Sequence, residues 1–229
     1  MKVTLSLETT CSEDISIMVD ALRASTSITL ALNNFEKIIP CFSSEEGFKL
    51  KEEIGGILAG ERMGEKIDGF DIGNSPTALK DYEGAEKILI LTTSNGTRIL
   101  KNMNSTVLIG SLVNAKAVAE TSVKIAENHI DVVMAGVRGE FAFEDFLASG
   151  EILHEICKNL NEYELNDFAK AAIQSSKDKN SLKEGFYNSR SGKRLTKLGY
   201  KEDIDCSCQR NISDNVAIYQ NNELILIKD

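Results

Sequence analysis

The chain has 229 residues, 42% of them hydrophobic and 27% charged, which is enough apolar material to bury one substantial core and excludes a disordered chain. With 26 Lys and Arg against 35 Asp and Glu, the formal net charge of -9 opposes nucleic acid and anionic membrane surfaces as partners, so a bound anion needs a local cluster of arginines, amides or metal. The five cysteines, Cys11, Cys41, Cys157, Cys206 and Cys208, are odd in number and scattered, and no apolar run reaches the ~20 residues that span a bilayer, so reduced thiols and a cytoplasmic location are expected.

Short Val, Ile and Leu runs at 3–7 and 15–19 open the chain and read as strands buried on both faces. After the second comes Asp20-Ala21-Leu22-Arg23-Ala24-Ser25-Thr26, leading into a helical pattern at 25–32. An aspartate at a strand end can ligate a metal, and Arg23 with the helix start can hold an oxyanion; equally, Asp20 can cap the turn and Arg23 can pair with an acid. A strand at 37–42 and a helix at 45–53 follow. Residues 60–76, GERMGEKIDGFDIGNSP, are then unusually polar for a connection, with the acids Glu61, Glu65, Asp68 and Asp71, the cation Arg62, and a Pro76 suited to the first turn of a helix.

The strand at 87–91 runs into Thr92-Thr93-Ser94-Asn95-Gly96-Thr97. Small hydroxyl residues before a helical pattern at 96–101 make an anion site, because unpaired amides point outward at a helix start and Gly96 admits close backbone approach; Asn-Gly is otherwise an ordinary turn. A strand at 107–110 leads through Ser111 to a helix at 113–127, and a strand at 131–135 leads through Gly136 to Asp145 into a helix at 143–160. In that last junction Arg138 can grip an anion and Glu140 or Asp145 can serve a metal, while Glu144 reads as a first-turn acid favoured by the helix dipole. Residues 164–200 are polar and helical, and 216–219 with 224–227 flank an Asn221-Asn222 turn as a hairpin.

The order implies a layered α/β/α fold with a largely parallel or mixed sheet and a C-terminal hairpin, in a single domain over 1–229 with 161–200 as a helical cover or lid. In such sheets ligands bind at the carboxyl ends of the strands, where the polar junctions fall. No Cys precedes an Arg by six positions, and neither phosphate-binding nor dinucleotide glycine fingerprints occur. Asp203-Ile204-Asp205 has the spacing of an aspartyl phosphatase motif but lacks a strong strand before it. His129 and His154 do not form a convincing catalytic pair. Metal-assisted chemistry with water as nucleophile remains.

Residues 20–26 with Ile28, Gly60-Glu61-Arg62, Gly69 to Pro76, Thr92 to Thr97, Gly110 to Ala115, Gly139-Glu140-Phe141, Glu144-Asp145-Phe146 and the later Ser189 to Tyr200 segment together resemble the 2-phosphosulfolactate phosphatase family. That resemblance implies a magnesium-dependent phosphatase converting (R)-2-phospho-3-sulfolactate to sulfolactate and phosphate, a step towards coenzyme M. Val137-Arg138 depart from the polar pair common there, which reshapes the acid-group pocket. On this reading Asp20, Arg23, Glu61 and Asp145 are expected to be catalytic. Magnesium is then expected among Asp20, Glu61, Asp71, Glu140 and Asp145. Substrate contacts fall to Arg62, Thr93, Asn95, Gly96, Thr97, Ser111, Arg138, Gly139, Glu140 and Arg190. The expected partner is a small phosphorylated acid carrying a sulfonate or carboxylate; a homo-oligomer is compatible, and a non-catalytic sensor of such an acid is the alternative.

Overall fold

A computed structural model describes residues 1–93, 96–100 and 103–227, with only the backbone considered at 97 and 98. The elements in chain order are β1 (Lys2–Leu7), β2 (Ile15–Val19), α1 (Ala24–Ala31), β3 (Lys37–Cys41), α2 (Ser44–Ile54), β4 (Ile57–Arg62), β5 (Glu65–Lys66), α3 (Pro76–Lys80), β6 (Ile88–Thr92), α4 (Gly96–Leu100) and β7 (Thr106–Gly110). They continue with α5 (Ala115–Ile125), β8 (His129–Met134), α6 (Phe143–Lys158), β9 (Glu164–Leu165), α7 (Asp167–Ser176), α8 (Lys179–Asn188), α9 (Arg190–Lys197), α10 (Lys201–Ser207), β10 (Ala217–Gln220) and β11 (Glu223–Leu226). The layered α/β class is observed, with the expected mixed sheet and hairpin.

Among the described residues the strands lie in the order β5-β4-β6-β3-β11-β10-β7-β2-β8-β1-β9. Two parallel blocks, β4-β6-β3 and β7-β2-β8-β1-β9, are joined through the hairpin, which is antiparallel to β3 on one side and to β7 on the other. Three antiparallel steps reverse the sense of the second block relative to the first, so this is not one open parallel sheet. The blocks nevertheless meet at their carboxyl ends. A Cβ added at Gly96, beyond β6, would lie 2.9 Å from the Ala24 Cβ and 3.1 Å from Asp20 Oδ2, beyond β2. The sheet must therefore coil across the hairpin.

Coiling places α1 inside the fold. Every residue from Ala24 to Ala31 is buried, with Ile28, Ala31 and Leu32 packed in one apolar cluster with Ile38, Leu89 and Leu91 of the first block and Met18, Val107 and Ile109 of the second. Ser25, Thr26 and Thr29 of this helix tolerate burial because their side chains bond to the chain just before them: Ser25 Oγ donates to Asp20 O at 2.8 Å, Thr26 Oγ1 to Ala21 O at 3.0 Å, and Thr29 Oγ1 to Ser25 O at 2.8 Å, whereas the buried Ser27 Oγ has no such bond. The helix start is thus fixed beside Asp20.

The opposite face of the larger block buries Val3, Leu5, Ile17, Ile130 and Val132 against α5 and α6, and Ala172, Phe186, Leu195 and Ile204 of the later helices join the same core. Those helices carry α9 to the carboxyl ends of the strands. The polar stretch 60–76 is only partly a loop, since β4 runs to Arg62 and pairs with β6 from Ile57↔Leu89 to Gly60↔Thr92. Pro76 opens α3 as expected, with Ser75 Oγ capping Ala78 N–H at 3.2 Å.

Candidate active site

A pocket at the meeting of the two blocks is lined by Asp20 and Leu22 after β2, Glu61, Met63 and Gly64 at the β4–β5 turn, Asn74, Thr93, Val137 and Arg138 after β8, and Arg190, Ser191 and Arg194 of α9. Its floor is acidic. Asp20, Glu61, Glu144 and Asp145 are all no more than 8% exposed. Burial raises the Asp20 carboxyl from 3.8 to about 7, with the Glu61 and Glu144 charges adding to the rise and the Ala24 and Gly96 amides opposing it. Asp145 is raised as well, first by burial and then by Glu144 and Asp20.

Asp145 lies behind Asp20 as a tie between loops. Its Oδ1 accepts from Ala21 N–H at 2.8 Å and its Oδ2 from Gly136 N–H at 3.1 Å, so one carboxylate pins the chain after β2 to the chain after β8. Glu144 stands in the first turn of α6, as read from sequence, and is also part of the buried acidic group. Glu61 closes its own turn by accepting Gly64 N–H at 2.7 Å.

The mouth is basic. Arg138 donates to Met63 Sδ at 2.8 Å and Arg194 to the same sulfur at 3.4 Å, while Arg190 donates to Glu140 Oε2 at 2.5 Å and Val137 O at 3.2 Å. A thioether is a weak acceptor, so its contact with Arg194 is a weak one, whereas Arg190 is held by a carboxylate. Arg138 holds a left-handed φ of 55° and Gly139 one of 85°, which turns the chain sharply at the rim.

Arg23 lies in the pocket wall, but its terminal nitrogens are engaged. Nη1 meets Asp203 Oδ2 at 2.7 Å, Nη2 donates to Gly64 O at 2.7 Å, and the guanidinium stacks 4.7 Å above the Tyr200 ring. Asp203 in turn accepts Ser75 Oγ and Thr77 Oγ1, each at 2.7 Å. The aspartate of the discounted Asp-Ile-Asp stretch is therefore the partner that locks Arg23 between three segments.

The remaining sequence candidates are divided. Thr93 and Gly96 stand beside Asp20, whereas Arg62 lies outside the pocket lining and donates to Glu61 O, Phe42 O and Thr92 Oγ1. Asp71 is also outside, with Oδ2 accepting Leu58 N–H at 2.8 Å and Lys51 Nζ at 2.6 Å. Ser111 is buried in a reciprocal capping box with Asn114, and Glu140 is exposed in its pair with Arg190. Asn95 and the Thr97 side chain lie outside the described residues. Sequence reasoning missed Asn74, Arg194 and Met63. Arg194 was detectable, because it follows Arg190 by four residues and so shares its helix face.

A second group lies at the opposite end of β8, where ligand atoms of Cys11, His129 and Asp131 fall within 4.8 Å of one another and could hold a metal ion. The Thr4 hydroxyl sits among them, 2.6 Å from Asp131 Oδ1, 2.8 Å from His129 Nε2 and 3.3 Å from Cys11 Sγ. Ser6, Thr10 and the Cys11 amide also hydrogen-bond to Asp131.

The acidic floor makes a testable statement about pH. A carboxyl whose pKa is raised on folding contributes stability that is complete below 3.8 and is lost as pH rises through about 7. Cation-free protein should therefore unfold at progressively lower temperature as pH climbs through that range. Asp20→Asn should flatten this slope, and parallel curves for the two proteins would remove Asp20 as its source.

No helix of the described residues is long and apolar enough to cross a membrane. A family model described as 2-phosphosulpholactate phosphatase matches residues 3–222. The chain is 41% identical over 229 residues to the 2-phosphosulfolactate phosphatase of Methanothermobacter thermautotrophicus, covering 100% of this chain and 97% of that protein. It is 39% identical over 227 residues to the protein of the same name from Methanocaldococcus jannaschii, covering 94% and 93%. It is 38% identical over 215 residues to a probable 2-phosphosulfolactate phosphatase of Clostridium acetobutylicum, covering 92% and 91%.

Proposed function

The chain belongs to the 2-phosphosulpholactate phosphatase family, and we propose that it hydrolyses the phosphate ester of 2-phospho-3-sulfolactate with magnesium held by Asp20 and Glu61. One observation carries this reading: a single pocket sets buried carboxylates opposite the three guanidiniums of Arg138, Arg190 and Arg194. A phosphate ester that also carries sulfonate and carboxylate needs both poles.

The donors on the floor are oxygens, which suit magnesium over a softer metal, and their mutual repulsion in a buried site is what a divalent cation relieves. When bound, the ion supplies charge neutralisation at the phosphoryl oxygens. The rest falls to the chain. A carboxylate of the Asp20 and Glu61 pair orients water, whose oxygen attacks phosphorus as the ester P–O bond breaks and the alcohol oxygen leaves with that electron pair and a proton. Asp145 keeps the Ala21 and Gly136 turns in register during this step. Arg23, locked by Asp203, holds the Gly64 turn that carries Glu61.

The arginines at the mouth receive the acid groups of the substrate. Arg194→Met removes a charged fork while keeping bulk, and should raise KM roughly ten- to a hundred-fold, the effect of losing one hydrogen bond to a charged group, with a smaller change in kcat. An unchanged KM places Arg194 outside substrate recognition. The reading as a whole is tested by phosphate release from 2-phospho-3-sulfolactate and from an ester without acid groups, each with and without magnesium. Release from the first that requires magnesium and exceeds that from the second is expected; no release from the first with magnesium present overturns the assignment.

A further inference from the structure

Asn74 lines the same pocket as Asp20, Glu61 and Thr93, directly before the Ser75 cap of α3. It is only 2% exposed, and its side-chain carbonyl Oδ1 is buried without a hydrogen-bond partner. A buried amide oxygen left unpaired is costly, and such an atom in a native fold calls for a ligand to complete it. None of the hydroxyls and guanidiniums of the pocket bonds to it, and Asp20 and Glu61, when ionised, present only acceptors.

The chemistry of the substrate proposed above excludes it as well. Phosphate, sulfonate and carboxylate oxygens are acceptors when ionised, so a carbonyl oxygen facing them repels them unless a cation stands between. We propose that Asn74 Oδ1 is a neutral ligand of the cation held by Asp20 and Glu61. This rests on the magnesium-dependent reading, and it adds a residue whose sequence context, Gly73-Asn74-Ser75-Pro76, looks like a turn alone. A neutral third donor lets the floor bind a divalent ion without burying a further negative charge beside Glu144 and Asp145.

The test is a titration of the full chain with manganese, followed by electron paramagnetic resonance, and with magnesium, followed by calorimetry. Asn74→Ala should weaken both ions roughly ten- to a hundred-fold, on the scale of losing one partner of a bound metal. Asn74→Asp, which restores an oxygen at the same place, should bind at least as tightly as the native chain. Thermal unfolding gives a readout that a packing role would not produce. In chelator the Ala variant should be as stable as the native protein or more so, because an unpaired acceptor has been removed, while its gain on adding manganese should shrink.

Native affinity in both variants overturns the inference. So does unchanged ion affinity accompanied by a raised KM, which would assign the amide to the substrate. Absence of ion binding by the native chain would overturn the magnesium reading itself, and this inference with it.

Discussion

Asp20→Asn should lower kcat by about a thousand-fold or more, the scale on which removal of a preorganised charged group acts, with the circular dichroism spectrum unchanged. The substitution is isosteric. Asn retains the oxygen that accepts Ala24 N–H, at 3.2 Å in the native site, and the main-chain bond from Ser25 N–H to the residue 20 carbonyl is untouched, so the start of α1 stays in place. What disappears is a negative charge in the pocket lining, which Asp20 of the second block shares with Glu61 of the first. Cation affinity should fall with kcat. A variant that keeps native kcat at saturating magnesium would show that Asp20 is a cap and nothing more.

Asp203→Ala should cost about 3–5 kcal/mol of stability, because it strands the Arg23 guanidinium in a site from which water is excluded. The pair is almost entirely buried, with side-chain exposures of 3% and 1%, so solvent does little to soften the loss. Ser75 and Thr77 lose their acceptor in the same stroke. For a chain of this length the unfolding midpoint should drop by roughly 10 °C. The double variant Arg23→Met with Asp203→Leu should recover much of the loss, since apolar groups of similar size often replace a buried ion pair without penalty. Denaturant midpoints for the two singles and the double close the cycle. A single-variant loss below about 1 kcal/mol, typical of surface pairs, would contradict the burial argument.

Strands β1, β2, β7 and β8 of the larger block were legible because each is a short Val, Ile and Leu run, whereas β9, Glu164–Leu165, opens the 164–200 stretch read as helical and becomes a strand only by pairing with β1. Strand β4 was not legible either. Its outer half is Gly60-Glu61-Arg62, which has the composition of a loop, and it becomes a strand because Gly60 brings the backbone against Thr92 of β6, where an added Cβ would lie 2.6 Å from the Thr92 carbonyl oxygen. The hairpin was visible as a local pattern, but nothing in residues 217–226 says that it pairs with Lys37, Ile38, Val107 and Leu108.

The same division applies to the site. Asp20 and Glu61 were found because a strand end and a charged turn draw attention to them, Arg190 through the resemblance carried by the Ser189 to Tyr200 segment, and the pocket lining contains all three. Arg62 and Asp71 carry the same local signals, yet their side chains are taken by neighbours that only the folded chain supplies, Phe42 and Thr92 for one and Lys51 for the other. Glu144 is the helix-start acid its position suggested, but its burial and its nearness to Asp20 and Asp145 come from the tertiary fold.

The bridging position of β10 and β11 has a consequence for how the protein is made. Until residues 217–226 have left the ribosome, β3 and β7 are both open edges, and the cavity that α1 will fill has no continuous wall. Nascent chains can assemble each block separately, but they cannot join them through this sheet. Because the joining pairs link positions near 37 and 107 to positions near 225 and 218, closure waits for contacts of very large sequence separation, and the arrival of β10 and β11 sets the time at which the pocket first exists.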